Sequence, residues 1–214
     1  MRHIVKLEEP DVLSTNKDAW LAEYKADKTN PTKKFRYRHA DIKRQLKTET
    51  GFKCIYCESK IGHNTPGDIE HIIPSSKNED SHFTWENLSI ACTECNRRKN
   101  AYYEEGEEFL NPYTDNDIET LLEHYGPIVN WRNGNPRAEI TVRHLELNTQ
   151  ARTELIFRKI EKIEETNTLV ERFIAESNPT LKKLQELQLQ NMAEKKSEFS
   201  GMVKSLLTQK GMPN

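Results

Sequence analysis

The sequence has no long apolar run. It lacks the ~20 consecutive apolar residues that a membrane-spanning helix needs, and Met1, Arg2 and His3 are not followed by the apolar core of a signal peptide. Hydrophobic residues make up only 35% of the 214 residues, and charged residues make up 31%. These absences predict a cytoplasmic protein without a membrane partner, whose modest core needs help from a metal ion, long helices or another chain.

Two stretches carry charges of almost a single sign, one negative and one positive. Residues 101–130 contain eight acids and no Lys or Arg, whereas residues 28–47 contain eight Lys or Arg and a single acid, Asp41. The net charge of -2 argues against a uniformly basic protein surface, but this single number does not show the asymmetry between the two stretches. We predict three parts: an N-terminal basic helical arm at 1–50, a core at 51–105, and, at 106–214, an acidic linker with a C-terminal helical region that docks a partner.

Only four cysteines are present, as Cys54-x-x-Cys57 and Cys92-x-x-Cys95. Zn²⁺ takes four thiolates in a tetrahedral site, and each tight turn can present two of them. Four cysteines also allow three disulfide connectivities, but a reducing compartment favours metal binding. We therefore predict that these cysteines hold a structural Zn²⁺.

The stretch between the cysteine pairs predicts a small ββα unit. Residues 68–73 alternate as a strand does, and residues 77–84 form a polar loop. Apolar side chains return to the core from Trp85 onward, and residues 92–103 have the character of a helix. The order strand, loop, return segment and helix, with metal ligands at the start of the helix, is a ββα-metal arrangement.

The rest of the chain is predicted to be mainly helical. We expect helices from Thr15, around Ile42 and Leu46 up to Gly51, and over 115–125, and one strand over 138–147. Two long helices then follow. The seam of the first advances by three or four residues and has one polar position, Asn167: Ile156, Ile160, Ile163, Asn167, Val170 and Ile174. The apolar residues of the second are Leu181, Leu184, Leu187, Met192, Phe199, Val203 and Leu206.

These two helices form an antiparallel hairpin or offer their apolar seams to another chain. The predicted fold class is α+β and mostly helical: a small zinc-stapled ββα-metal core with an N-terminal helical arm and a long C-terminal helical hairpin.

The core carries residues suited to the hydrolysis of a phosphodiester. His71 is a plausible general base, because imidazole titrates near neutral pH. Glu70 and Asn96 offer hard oxygen donors for Mg²⁺ or Mn²⁺, although Glu70 and His71 would point to opposite faces of a regular strand unless a bulge or twist brings them together. Arg97, Arg98 and Lys99 could hold the phosphate backbone.

In the N-terminal arm, basic residues alternate with aromatic residues. Lys33, Lys34, Arg36 and Arg38 alternate with Phe35 and Tyr37, a pattern that suits phosphate contacts combined with base stacking. The alternative is a solvated approach to a helix, in which the two aromatic side chains only pack on the core. His63 and His82 lie in polar loops, so we expect them to be solvated rather than functional.

These motifs resemble the HNH endonuclease family, in the branch built around two CxxC pairs. The resemblance implies an HNH core in which His71 is the general base, Glu70 and Asn96 bind a catalytic Mg²⁺ or Mn²⁺, and Asn87 braces the loop behind His71. The family usually has Asp where this chain has Glu70, and commonly His where it has Asn96. The matching elements are, in order, Cys54 and Cys57, Glu70-His71-Ile72-Ile73-Pro74, Asn87-Leu88, Cys92 and Cys95, Asn96, and Lys99.

A wider set of motifs extends over much of residues 1–160: a short N-terminal arm, Cys-x-Tyr-Cys-Glu at 54–58, Glu-His-Ile-x-Pro at 70–74, Trp85-x-Asn87-Leu88, Asn111-Pro112 and Leu145-x-Leu147-Asn148. Together these motifs resemble the HNH nuclease component of Septu-type anti-phage defence, which also occurs as an effector in some retron systems. This resemblance implies a bacterial protein that works with an ABC-type ATPase, with the helices from 149 onward as a docking surface.

The leading hypothesis is therefore a metal-dependent HNH nuclease that hydrolyses phosphodiester bonds of nucleic acid, DNA before RNA, as the effector of a bacterial anti-phage defence complex with an ATPase. The alternative is a non-catalytic zinc-stabilised module that recruits a partner through its C-terminal helices. A non-catalytic module of this kind would not need the combination of Glu70, His71, Asn87 and Asn96.

Overall fold

The computed structural model of the chain describes residues 1–62 and 66–213. It confirms the mostly helical α+β class, with two two-stranded antiparallel sheets among helices. The strands are β1 (Asp68–His71), β2 (Leu88–Ala91), β3 (Leu122–Tyr125) and β4 (Ile128–Trp131). The helices are α1 (Asp11–Ala26), α2 (Pro31–Lys34), α3 (Ala40–Thr50), α4 (Thr93–Lys99), α5 (Ile118–Leu121), α6 (Pro136–His144), α7 (Thr153–Ala175), α8 (Pro179–Ala193) and α9 (Ser200–Gln209).

The central unit is the predicted ββα arrangement. β1 pairs with β2 so that Asp68 lies opposite Ala91 and His71 opposite Leu88. Every residue of β2 is buried, and α4 follows directly, with the Cys92 side chain accepting a hydrogen bond from the first turn of the helix. The β1 strand ends at His71 rather than at residue 73, because the loop beyond it bonds to Asn87.

Two secondary-structure predictions outside the core are wrong. Residues 138–147 were expected to form a strand but lie largely in α6, because Asn135 caps the helix and Pro136 occupies its first position. The buried side chains of Ala138 and Val142 are one helical turn apart. Residues 115–125 form only the short α5 and then β3, which turns back through Gly126 into β4.

The C-terminal hairpin is formed by α7 and α8, which pack against each other across a short break. Asn178 accepts hydrogen bonds from two amides of the first turn of α8, with Pro179 at its first position, an arrangement typical of a helix N-terminus. The predicted seam is only partly used, since Val170 is buried whereas Ile174 is 61% exposed. The second long helix predicted from the sequence is divided into α8 and α9. The apolar residues of α8 that stay exposed are Leu181, Leu184 and Leu187.

The hydrophobic core is continuous across the chain. One cluster of buried residues includes Leu13 of α1, Trp85 before β2, and Val203 of α9. Lys6 ties the N-terminal residues to this core, because it pairs with Glu49 at 3.0 Å and lies over the Trp85 ring. The three segments predicted from the sequence therefore pack together, while their boundaries remain a prediction. Within the described ranges, no helix is long and apolar enough to cross a membrane.

Candidate functional site

The four cysteines are positioned to bind a metal ion. All four sulfurs lie within 4.8 Å of one another, and the sulfurs of Cys57 and Cys92 are 3.8 Å apart. Tetrahedral thiolates at a Zn–S distance of about 2.3 Å are themselves about 3.8 Å apart. The donor set and its spacing therefore fit Zn²⁺ between the turn at 54–57 and the start of α4.

A guanidinium from the C-terminal part of the chain supports this cluster. Arg152 is 6% exposed, and its two terminal nitrogens lie 3.7 and 3.6 Å from the sulfur of Cys95. Burial opposes the charge on Arg152, but the nearby thiolates outweigh it and hold the pKa above its usual range. Arg152 therefore offsets part of the negative charge that four thiolates would leave on a bound dication.

His71 stands at the end of β1 with one ring nitrogen already bonded. Its Nε2 lies 2.9 Å from the carbonyl oxygen of His82, and a carbonyl can only accept, so Nε2 carries the proton. The other nitrogen, Nδ1, is then the unprotonated one. Burial lowers the pKa of His71 to about 4, although the His82 carbonyl acts in the opposite direction. The ring is therefore neutral at pH 7, with Nδ1 able to accept a proton.

His82 is part of the site, contrary to the expectation of a solvated loop histidine. It is 1% exposed and stacks on the His71 ring at a centroid distance of 4.8 Å. Its Nε2 donates to the carbonyl of Lys34 at 2.8 Å, while the hydroxyl of Ser75 donates to Nδ1 at 2.5 Å. The loop at 77–84 is therefore held against the N-terminal arm. His63 lies outside the described residues.

Asn87 braces the loop that joins the two strands. Its side-chain oxygen accepts from the Ile73 amide at 2.7 Å, and its nitrogen donates to the Ile73 carbonyl at 3.0 Å. The same nitrogen reaches the Ser81 carbonyl at 3.1 Å. These bonds connect the residues that follow His71 with those that precede His82, so Asn87 sets the distance between the two histidines.

Glu70 and Lys99 do not lie where the sequence prediction placed them. Glu70 was expected to bind the catalytic metal and Lys99 to bind phosphate, but they are 3% and 2% exposed and form an ion pair of 3.0 Å with each other. The reason is the set of partners around Glu70: Lys99 of α4 and the hydroxyl groups of Tyr56 and Ser89 hold its carboxylate in the interior. Both side chains are almost fully buried, although Glu70 borders the cavity that His71 lines.

Asp68 is a second carboxylate beside His71. Its Oδ2 is 3.5 Å from the side-chain nitrogen of Asn96, and both residues line an open cavity of about 720 Å³ whose lining also includes Glu70 and His71. The sequence analysis overlooked Asp68. The strand period puts residues 68 and 70 on one face, so it marks Asp68 as a second candidate acid but does not decide between the two.

The cations predicted to bind nucleic acid divide into two groups. Lys34, Arg38 and Arg97 line the cavity, and so does Lys43 of α3, which the sequence analysis did not single out. Burial lowers the pKa of Lys43, while Asp68 acts against this shift, which places that amine near the Asp68 carboxylate.

The other predicted cations have acidic partners. Arg36 pairs with Glu23 at 2.7 Å, and Lys33 with Asp27 at 3.5 Å. Arg98 pairs with Glu146 and has a side-chain exposure of 10%. Arg97, although it lines the cavity, also contacts Glu94, at 3.0 Å.

Comparisons with known proteins agree with this geometry. Residues 54–101 match the family model described as HNH endonuclease. The chain is also similar to the Septu protein PtuB of Bacillus mycoides (strain KBAB4), with 28% identity over an alignment that covers 55% of this chain and 50% of that protein. The chain thus spans about half the length of this curated relative. The predicted resemblance to the HNH endonuclease family, over residues 54–101, and to a Septu protein is confirmed.

Proposed function

We propose that this chain is a metal-dependent HNH nuclease that hydrolyses phosphodiester bonds. The observation that carries the proposal is the state of His71, whose Nε2 is bonded to a carbonyl and whose Nδ1 is left to accept a proton at the wall of a cation-lined cavity. A structural histidine would bond through both nitrogens, as His82 does. An HNH domain at residues 54–101 agrees with this reading.

In this mechanism, His71 removes a proton from the attacking water. The proton moves to Nδ1, and the resulting imidazolium keeps its Nε2–H bond to the His82 carbonyl, so the ring does not need to turn. The stacked His82 ring and the edge of Tyr37, at a centroid distance of 4.6 Å, hold the plane of the imidazole. Such positioning supplies much of the rate in phosphoryl transfer.

The hard oxygen donors of the cavity fit Mg²⁺ or Mn²⁺, with the Asn96 side chain among them. A bound dication would stabilise the negative charge that develops on the phosphate oxygens. The thiolates of the cysteine cluster suit Zn²⁺ instead, and we propose that this second ion is purely structural.

The substrate is proposed to be DNA first and RNA second. Lys34, Arg38, Lys43 and Arg97 would contact the phosphate backbone on either side of the scissile bond. Backbone contacts serve both polymers equally, and the same proton transfer would cut either one.

We also propose that the protein acts in a bacterial anti-phage defence complex with an ABC-type ATPase. The support is the similarity to a Septu protein. The C-terminal hairpin is the proposed docking region, because Ile174, Leu181, Leu184 and Leu187 expose apolar side chains there.

The decisive test is His71→Ala, with the exposed His144→Ala as the control. We expect His71→Ala to lower plasmid nicking and RNA degradation in Mg²⁺ or Mn²⁺ by at least about 100-fold, the contribution typical of a general base, and His144→Ala to change them little. Zinc content and melting temperature, measured on the same samples, should match the wild type for both variants.

Two results would contradict the proposal. One is full cleavage by His71→Ala. The other is a wild-type protein that cuts neither DNA nor RNA even with its proposed ATPase partner present, which would favour the non-catalytic zinc module.

A further inference from the structure

Two carboxylates on the same face of β1 lie under the same helix. Asp68 and Glu70 are two residues apart, about 6.6 Å along a strand, and α4 presents Asn96 and Lys99 to them, three residues or about 4.5 Å apart along the helix. The result is two adjacent pairs. Asp68 contacts Asn96 at 3.5 Å, and Glu70 contacts Lys99 at 3.0 Å.

The Glu70 pair is closed to a metal ion. One carboxylate oxygen of Glu70 accepts hydrogen bonds from Tyr56 and, at 2.8 Å, from Ser89, and the other pairs with Lys99. If Glu70 turned towards a cation in the cavity, it would leave the buried ammonium of Lys99 without its carboxylate counter-charge, which is strongly unfavourable. The burial of Glu70 is therefore linked to that of Lys99.

The Asp68 pair is open. Asp68 and Asn96 are both only half-buried and line the cavity that His71 also lines. Glu70 borders the same cavity but is only 3% exposed. A carboxylate and an amide that face one solvent-filled space are the kind of oxygen donors that Mg²⁺ and Mn²⁺ bind while keeping several waters.

Lys99 also acts on the main chain of the general base. Its amine donates to the carbonyl oxygen of His71 at 2.6 Å. The far side of the same residue is fixed by the His82 carbonyl at Nε2. Lys99 and His82 therefore hold His71 at its backbone and at its ring.

From these contacts we infer a division of labour between the two carboxylates. Asp68, with Asn96, binds the catalytic dication, while Glu70 is a positioning residue that holds Lys99 against the carbonyl of His71. This inference rests on the proposed nuclease function. It departs from the ligand set implied by the family pattern, in which the acid next to the histidine binds the metal.

The first arm of the test measures Mn²⁺ binding to the zinc-loaded full chain, by electron paramagnetic resonance and without nucleic acid. We expect Asp68→Asn and Asn96→Ala each to weaken Mn²⁺ binding at least tenfold, and Glu70→Gln to leave it within twofold of wild type. A tenfold loss in Glu70→Gln, or wild-type binding in Asp68→Asn, overturns the assignment.

The second arm separates positioning from simple structural support. Glu70→Gln alone should lower both the melting temperature and kcat, because Lys99 stays charged and unpaired. The double variant Glu70→Gln/Lys99→Met removes that charge and should regain the melting temperature, but not kcat, because the donor to the His71 carbonyl is gone. Recovery of kcat along with the melting temperature would show that the pair is only structural.

The two proposals fail in different ways. If the chain cuts no nucleic acid but loses Mn²⁺ binding in Asp68→Asn, the metal assignment stands and the nuclease function does not. If the chain cuts nucleic acid and Glu70→Gln abolishes Mn²⁺ binding, the function stands and the division of labour is wrong.

Discussion

His71 shows how single neighbours determine the chemistry of a side chain. An imidazole in water is divided between charged and neutral forms near pH 6.5, whereas burial lowers the pKa of His71 to about 4. The His82 carbonyl then selects which nitrogen carries the proton. One contact thus determines the tautomer, and burial determines the charge.

At the residue scale, neighbours also decide which cations can bind a phosphate. Arg38 is exposed, lies over the Phe35 ring at 4.1 Å and lines the cavity. Arg36, two residues away, pairs with Glu23. The first guanidinium can therefore release a counterion from nucleic acid, while the second is already partly neutralised.

We predict that Arg38→Gln weakens nucleic-acid binding and lowers the slope of log affinity against log salt by about 0.7–0.9, the value of one phosphate contact. Arg36→Gln is the matched control and should change the slope less. Fluorescence anisotropy with a labelled strand between low and moderate salt measures both. Equal slopes for the two variants would show that Arg38 makes no phosphate contact.

At the element scale, the end of α3 carries an interface with the C-terminal region. Gly51 ends the helix with a φ of +65°, and a Cβ built there would lie 2.5 Å from the Cβ of Lys196 and 2.6 Å from its carbonyl oxygen. Only glycine allows both the left-handed backbone and this close approach. Gly51, which the sequence predicts to end this helix, therefore also packs against Lys196 of the C-terminal region.

Gly51→Ala should lower the free energy of unfolding by about 2–4 kcal/mol, combining a left-handed backbone penalty of about 1 kcal/mol with overpacking of about 1–3 kcal/mol. Gly134→Ala is the control: its φ is +87°, but nothing lies within 4 Å of the added Cβ, so it should lose only about 1 kcal/mol. Urea denaturation with Zn²⁺ present gives both values. Equal losses would mean that the segment around Lys196 moves aside freely.

At the scale of the whole molecule, buried neutral histidines make stability depend on pH. Burial lowers the pKa of His71 to about 4 and of His124 to about 3, and it also lowers the pKa of His82. Below pH 6.5 the unfolded chain therefore binds more protons than the folded one. The stabilisation that these histidines contribute is fully present above pH 6.5, and it is lost as the pH falls from 6.5 towards their pKa values in the folded state.

Between pH 6.5 and 5.5 we expect His71 and His124 each to remove about 1 kcal/mol from the free energy of unfolding. Urea denaturation at pH 7.5, 6.5 and 5.5 measures this loss, and His124→Gln should reduce it by about the share of one histidine. A free energy that stays constant or rises as the pH falls would contradict the account.

The sequence by itself determined the local features. The spacing of the cysteines, the cap at Asn178, the stop at Gly51 and the order of the ββα unit follow from residue types a few positions apart. His71 and Asn96 were identified as site residues in the same way, and both line one cavity. Such features depend on short-range geometry, which sequence patterns record directly.

Only the tertiary structure decided which side chain does what. Which of the two carboxylates is paired depends on where α4 lies, because its Lys99 forms an ion pair with Glu70 and not with Asp68. The burial of His82 depends on a loop closing over Lys34, 48 residues earlier in the chain. The strand over 138–147 is an error of a different kind, because Asn135 and Pro136 form the same local helix-start signal as Asn178 and Pro179 and the alternating pattern does not outweigh it. Ion pairs and carbonyl contacts between distant segments leave no periodic trace in a single sequence, so only the packed chain reveals them.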